Sequence, residues 1–282
     1  RLLETGFDPH TGQLVFTRNE YDPLEVDAVI VDEVSMVDVP LMAALLSALR
    51  DDCRLVLVGD PDQLPSVGPG NVLGDMLRSG VSPAVSLTQV FRQAEQSAII
   101  RNAHAVNQGE PPRLDNGQGD FFFLCRRSPD RLVQTVVELC RERLPRNMGI
   151  PTEQIQGLSP TRKGACGTAA LNRALQAALN PPAAGRRQKQ WGDVTFRMGD
   201  RVMQTRNNYD VIWEKDDGTA GSGIFNGDVG VIQDIDPSGE LIVIRFDDRT
   251  ATYTADMLAQ LDMAYAITVH KSQGSEYPAV IL

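Results

Sequence analysis

Cysteine is scarce in this chain: there are four in 282 residues, and none of them (Cys53, Cys125, Cys140, Cys166) stands in a C-x-x-C spacing. That argues against a disulfide framework or a zinc knuckle and predicts reduced, buried thiols of a cytoplasmic protein. No apolar run approaches the ~20 residues of a membrane-spanning helix, and no secretory leader is visible. Also missing is any Gly-x-x-x-x-Gly-Lys-Ser/Thr, the loop whose backbone and lysine cradle phosphates. Positive charge is in deficit: 27 Lys and Arg against 37 Asp and Glu leave a formal net charge of −10. This balance predicts weak, salt-sensitive non-specific affinity for nucleic acid, yet it still allows a local basic groove. What is present is 42% hydrophobic residues, over a length that suits two compact domains and a small third.

Two short apolar runs, Val29 to Val31 and Arg54 to Val58, are rich in β-branched residues and show no alternation. They predict central parallel strands covered on both faces. Between them Asp38 can cap a helix, Pro40 falls in its first turn, and Leu41, Leu45 and Leu49 repeat at a spacing of four. Strand, helix and strand make one right-handed crossover. Its strand ends carry Asp32, Glu33, Asp60 and Gln63 to a common carboxyl edge, where ligands of open α/β sheets bind.

The residue types at this edge suit nucleoside triphosphate hydrolysis. An Asp at a strand end holds magnesium, usually through water, and an adjacent carboxylate orients the attacking water; Asp32 and Glu33 fit these two roles. Gln63 can hydrogen-bond the γ-phosphate or its water, as a sensor and not a base. An Asp-Glu pair alone can equally cap the next helix. The second strand, ending in Gly59-Asp60-Pro61-Asp62-Gln63-Leu64-Pro65, tips the balance toward a nucleotide site.

Asp32-Glu33-Val34-Ser35 resembles motif II, and Gly59-Asp60-Pro61-Asp62-Gln63-Leu64 motif III, of superfamily-1 helicases; the family resembled is the RecD-like branch, which moves 5′ to 3′ on DNA. Leu87-Thr88-Gln89-Val90-Phe91-Arg92-Gln93 resembles motif IV, whose arginine, here Arg92, reaches the γ-phosphate from between two motor domains. Leu158-Ser159-Pro160-Thr161-Arg162-Lys163-Gly164 resembles a segment that contacts the DNA backbone, which implies DNA contacts at Thr161, Arg162 and Lys163. Thr268 to Glu276 resembles motif V, which touches both DNA and nucleotide. The resemblance puts Thr268, His270 and Lys271 on DNA, and Gly274 and Glu276 on the nucleotide, with Glu276 at the sugar. The matches keep their order along nearly the whole chain. They imply an α/β fold of two RecA-like parallel-sheet motor domains, ATP and Mg2+ at the nucleotide site, and single-stranded DNA and its duplex junctions as partners. Contacts at Thr161, Arg162, Thr268 and His270 would then alternate their grip through the ATP cycle.

The chain begins at Arg1 and ends in the apolar Ala279-Val280-Ile281-Leu282, and it reads as a fragment. The resemblance places the phosphate loop before position 1 and motif VI, with a second phosphate-binding arginine, after position 282. The chain alone is therefore expected to hydrolyse ATP poorly. Arg162, Lys163, Arg173, Arg186, Arg187, Lys189, Arg201, Arg206 and Lys271 concentrate in the second half and read as the local basic groove. Two other functions stay open: a non-catalytic DNA-binding or interaction module, and the motor of a larger nuclease or relaxase machine.

Four segments are expected. Residues 1–108 make the remainder of the first motor domain, with a β-hairpin inside 3–20. The resemblance makes that hairpin a pin that meets the end base pair through Phe7, Phe16 or Tyr21; a plain connecting hairpin is the other reading. Ser66 and the amides up to Asn71 either hold a DNA phosphate at a helix N-terminus or form a simple turn. His104 reads as structural. Residues 109–190 begin the second motor domain with Phe121-Phe122-Phe123-Leu124 as a core strand, a helix from Pro129 to Leu144, a strand at Ile155 to Leu158 and a helix from Thr168 to Leu179. Residues 191–262 show short alternating strands and tight turns, which predict a small SH3-like barrel in which Asn207 to Gly223 is a long mobile loop. Residues 263–282 return to the motor sheet.

Overall fold

The computed structural model describes residues 2–8, 11–87, 96–116 and 119–282; Arg92 and most of the expected motif IV lie outside them. The chain forms two compact units, Arg1–Leu124 and Cys125–Leu282.

In the first unit, β1 (Thr5–Phe7) and β2 (Leu14–Phe16) pair antiparallel as a hairpin with Thr5 opposite Phe16. Phe7 and Tyr21 stand in solvent, 77% and 89% exposed. Two strands, β3 (Ala28–Val31) and β4 (Arg54–Leu57), pair in parallel, with α1 (Val39–Ser47) crossing between them. Asp38 caps α1 by accepting the Leu41 N–H at 2.8 Å, and Pro40 sits where its missing N–H leaves no bond unmade. Met42, Leu45 and Ala48 form the buried face of α1, packed with Val29, Val34, Val72 and Leu73, whereas Leu41 faces solvent. Of the expected ridge, Leu45 is buried and Leu49 packs on the same core, and only Leu41 turns away.

Among the described residues the strand pair is covered on one face only, not on both as its composition predicts. Val29 is buried against α1, while Ile30 is 72% exposed and its register partner Val56 is exposed beside it. Alternation along a strand sends Ile30 and Val56 to the face that α1 does not reach.

Downstream, α2 (Val72–Ser79) is capped by Asn71 and α3 (Ala98–Asn107) by Ser97. Asp120 folds back onto the start of α3, accepting the N–H groups of Ala98 and Ile99 at 2.7 and 3.2 Å. Asn102 clasps both backbone groups of Arg113. These bonds tie Arg113 and Asp120 to α3, and the first compact unit runs to Leu124. The Phe121–Phe123 run is not a strand, and Phe122 and Phe123 are exposed. Asn116 takes the Phe123 N–H and donates to its carbonyl, so a side chain answers the groups a neighbouring strand would have paired.

In the second unit, α4 (Pro129–Glu138) passes through a π turn, Leu139–Arg143, into α5 (Leu144–Met148), beyond the expected stop at Leu144. Pro145 has no N–H for the helical ladder, and the widened turn ahead of it lets the helix go on. A left-handed Gly149, φ 66°, ends it. The strand β5 (Ile155–Ser159) leads into α6 (Thr168–Leu179), whose Leu171 and Leu175 pack with Val136, Cys140, Ile155 and Tyr265.

A β-rich insertion follows. A ribbon of β6 (Gln188–Trp191) and β7 (Val194–Arg197) precedes β8 (Arg201–Gln204), β9 (Asn208–Lys215), β10 (Ala220–Ile224), β11 (Val229–Ile235), β12 (Leu241–Phe246), β13 (Arg249–Thr254) and β14 (Leu261–Met263). The last seven form an antiparallel sheet in the order β10-β9-β13-β12-β11-β8-β14, around a core that includes Phe196, Ile224, Ile242, Phe246 and Tyr253. The expected mobile loop at Asn207–Gly223 is largely the hairpin β9–β10. Val211 is buried in the core, Trp213 packs on it, and the turn closes by Lys215 N–H to the Thr219 carbonyl at 2.8 Å. Finally β15 (Ala266–Thr268) and β16 (Ala279–Ile281) flank β5 in a three-stranded parallel sheet. Of the four cysteines only Cys140 is buried, its thiol pushed up to about 11 by burial; Cys125 is exposed and the other two are half-buried.

Candidate nucleotide and DNA sites

The edge of the first unit is built by continuing the parallel ladder one step past the strands. Val58 donates to the Val31 carbonyl at 2.8 Å and Val34 to the Val58 carbonyl at 3.0 Å, which sets Asp32–Glu33 beside Gly59–Asp60. Gly59 suits this close crossing, since a Cβ there would lie 3.1 and 3.2 Å from the backbone nitrogens of Val34 and Ser35 and would press them apart. Glu33 is left-handed, φ 55° and ψ 40°, a conformation costly for a residue with a side chain. Asp32 Oδ1 accepts the Glu33 N–H at 2.8 Å, and its other oxygen has no partner among the described residues. Asp60 closes its own turn by accepting the Asp62 N–H at 2.9 Å, and the Gln63 N–H donates to the Asp60 carbonyl at 3.3 Å.

A magnesium ion needs hard oxygen donors and keeps several waters. Asp32, exposed and with one uncommitted oxygen, fits that demand as a single protein ligand. No group of three or more metal-ligating side chains occurs among the described residues. An ion here would therefore lean on water and phosphate.

Ser66 sits in a loop clasped to the start of α1. Its hydroxyl donates to the Gly68 and Gly70 carbonyls, each at 3.1 Å, and Val39 donates to the Pro69 carbonyl at 3.0 Å. The hydroxyl proton is thus already engaged inside the turn.

At the second unit's edge, the register Thr268 opposite Ser159 sets the turn Val269–Ser272 beside the loop after β5. This brings Thr161, Arg162, Lys163, Thr268, His270 and Lys271 to one strand edge. The loop folds back on α6: the Thr161 and Arg162 carbonyls accept the first amides of the helix, from Thr168 and Ala169, at 3.0 and 3.2 Å. Thr161 Oγ1 donates to the Lys163 carbonyl at 3.1 Å. His270 is exposed on its turn, and Gly274, φ 72°, and Glu276 are exposed on the connection to β16.

The expected basic groove contracts. Arg201 points inward, donating to the Ile155 carbonyl at 3.1 Å and to Gln156 Oε1 at 2.9 Å, and burial lowers its pKa. Arg186 is tied to Asn180, Arg187 to Asp234 and Lys189 to Glu240. These four residues serve the insertion and its junction. Arg162 and Lys271 share Asp262, whereas Lys163, Arg173 and Arg206 are exposed and make no ion pair among the described residues.

Three residues at these sites carry no obvious mark in the sequence. Asp200 is fully buried; its Oδ1 accepts from Asn180 at 2.6 Å and from the Tyr265 hydroxyl at 2.9 Å, and its Oδ2 accepts from Gln176 at 2.6 Å and the Arg197 N–H at 2.7 Å. Burial pushes its carboxyl up and the four donors pull it back. The available signal is the polar repeat Asn172, Gln176, Asn180, which runs along α6 beside the leucine ridge. Ser35 is buried behind Glu33 with no hydroxyl partner among the described residues. Asp262, the third, has no signal beyond being an acid in a short strand.

Known proteins match the chain along the same lines. A family model described as an AAA domain matches residues 5–119, one for the SH3 domain of ATP-dependent RecD-like DNA helicases matches 171–246, and one for the UvrD-like helicase C-terminal domain matches 263–282. The ATP-dependent RecD2 DNA helicase of Deinococcus radiodurans is 36% identical over 281 residues, covering 100% of this chain and 35% of that protein. The RecBCD enzyme subunit RecD of Mycolicibacterium smegmatis is 31% identical over 93% of this chain and 45% of its own length, and that of Mycobacterium tuberculosis 28% over 94% and 46%. The chain thus spans between a third and a half of these relatives. With an α/β fold, the parallel pair β3–β4 and the RecD-like SH3 domain matched, the chain belongs to the RecD-like family of superfamily-1 helicases.

Proposed function

We propose that the protein containing this chain is an ATP-dependent helicase that moves 5′ to 3′ on single-stranded DNA and opens duplex at the junction. The observation that carries this reading is the parallel strand pair that sets Asp32 and Glu33 beside the Asp60 turn, with Glu33 held in a strained backbone. Asp32 would hold magnesium through water, and that ion would neutralise phosphate charge. Glu33 orients the attacking water and Gln63 senses the γ-phosphate. Arg92, Gly274 and Glu276 complete the nucleotide contacts. On the DNA side, Thr161, Arg162, Lys163, Thr268, His270 and Lys271 grip the backbone in alternation, and the exposed Phe7 and Tyr21 of the first hairpin region meet the end base pair.

The test is the ATPase rate of the full-length protein with and without single-stranded DNA. Glu33→Gln is expected to lower the DNA-stimulated rate about 100-fold or more, the scale of losing one positioned catalytic group. An unchanged rate in that variant would sink the assignment. A second reading, that the chain is the motor of a larger nuclease machine, draws support from relatives that are subunits of RecBCD enzymes. Isolation of the native protein as a single species, free of nuclease subunits, would count against it.

A further inference from the structure

We propose that Asp262 is a built-in stand-in for a DNA phosphate: without DNA it occupies Arg162 and Lys271, and the incoming strand has to displace it. This rests on the reading of Arg162 and Lys271 as DNA contacts. Two cations from separate segments, the loop after β5 and the turn after β15, converge on this one carboxylate. Arg162 Nη2 lies 2.8 Å from Oδ1 and Lys271 Nζ 3.5 Å from Oδ2, one oxygen each, as two oxygens of a phosphate would be shared.

Fold stability does not account for the arrangement. The Arg162 side chain is 68% exposed, and exposed ion pairs contribute little. The loop is already held by Ser159 donating to the Cys166 carbonyl at 3.0 Å and by the capping of α6. Asp262, by contrast, is fixed from the other side. It lies in β14, opposite Met203 of β8, so its backbone belongs to the antiparallel sheet of the insertion. The carboxylate is thus anchored in a different sheet from the segments that carry the two cations. Arg162 gives Asp262 only one of its guanidinium nitrogens, so a phosphate can engage the remaining donors before the pair breaks. With Asp262 charged, the cluster carries one net positive charge; without it, two.

The measurement is anisotropy of a labelled oligo-dT strand bound to the full-length protein without nucleotide, across a salt series. Asp262→Asn is expected to bind about tenfold tighter at low salt, with the advantage shrinking as salt rises. Asp262→Glu, which keeps the charge, should bind like the wild type, and adding Arg162→Ala and Lys271→Ala to Asp262→Asn should erase the gain. Equal or weaker binding by Asp262→Asn, in a protein that melts like the wild type, overturns the proposal. If Arg162→Ala alone still weakens binding in that case, the DNA-contact reading survives. If the Arg162→Ala, Lys271→Ala protein binds like the wild type, that reading falls and takes this proposal with it.

Discussion

The two units both end parallel strands in a working edge, and they build those edges in opposite ways. In the first, the strain lies in the backbone: Glu33 is left-handed, a Cβ on Gly59 would press on the Val34 and Ser35 amides, and one oxygen of Asp32 has no partner among the described residues. In the second, the left-handed positions fall to glycines, Gly164 and Gly274, and the side chains are committed to one another: Arg162 and Lys271 to Asp262, and Thr161 to its own loop. A small triphosphate held at a fixed geometry favours the first design, in which groups are aimed in advance. A polymer that must be gripped and released favours the second, in which Arg162 and Lys271 already have a partner to return to.

The hardest blow to this contrast is Asp200→Ala. It takes the acceptor from the Tyr265 hydroxyl and the Arg197 N–H and one of two acceptors from each of the Asn180 and Gln176 amides. A loss of about 3 kcal/mol is expected from unmet buried donors, seen in urea as early unfolding of the second unit. An unshifted transition would mean that commitment among side chains adds nothing to stability. Glu33→Gly sharpens the other half. It removes the left-handed penalty and should stabilise the first unit by about 1 kcal/mol in the same urea experiment while abolishing ATP turnover. If stability falls instead, the backbone at Glu33 is not strained. The smallest effect concerns the exposed turn before β12, where the Leu241 N–H, Ser238 and further amides hold the Asp236 carboxyl down to about 2. A lowered folded pKa means that the turn's contribution is complete above the ordinary carboxylate value of about 4 and fades as pH falls toward 2. Melting of Asp236→Ala alongside wild type across that range should show the difference closing; a constant difference would show that the charge is irrelevant.

The strand ends at Asp32 and Asp60 are legible in the sequence because strand, cap and proline are local signals, each set by a few neighbouring residues. Local signals also mislead where two coincide. Asn207–Gly223 is rich in turn-formers, which hides the alternation of Tyr209, Val211 and Trp213 that makes β9. Phe121–Phe123 is as apolar as a core strand, yet one asparagine seven residues from Phe123 answers its backbone. Spacing of leucines on α1 marks an apolar side without saying which rows meet the sheet. What the sequence could not show are the partnerships across distance. Arg162 and Asp262 are 100 positions apart, and Arg201 and Gln156 are 45 apart. Nothing in a periodic pattern tells a surface arginine from one that crosses into a neighbouring layer.

The place of Asp262 in β14 has a practical consequence for anyone recombining these proteins. Only Ala264 and Tyr265 separate that strand from β15, so the β-rich insertion supplies the counter-charge at the motor's edge. A chimera that exchanged residues 188–263 for another protein's insertion would keep every residue of the edge itself. It would nonetheless take the donor's residue in place of Asp262, and Arg162 and Lys271 would keep their counter-charge only if that residue were an acid.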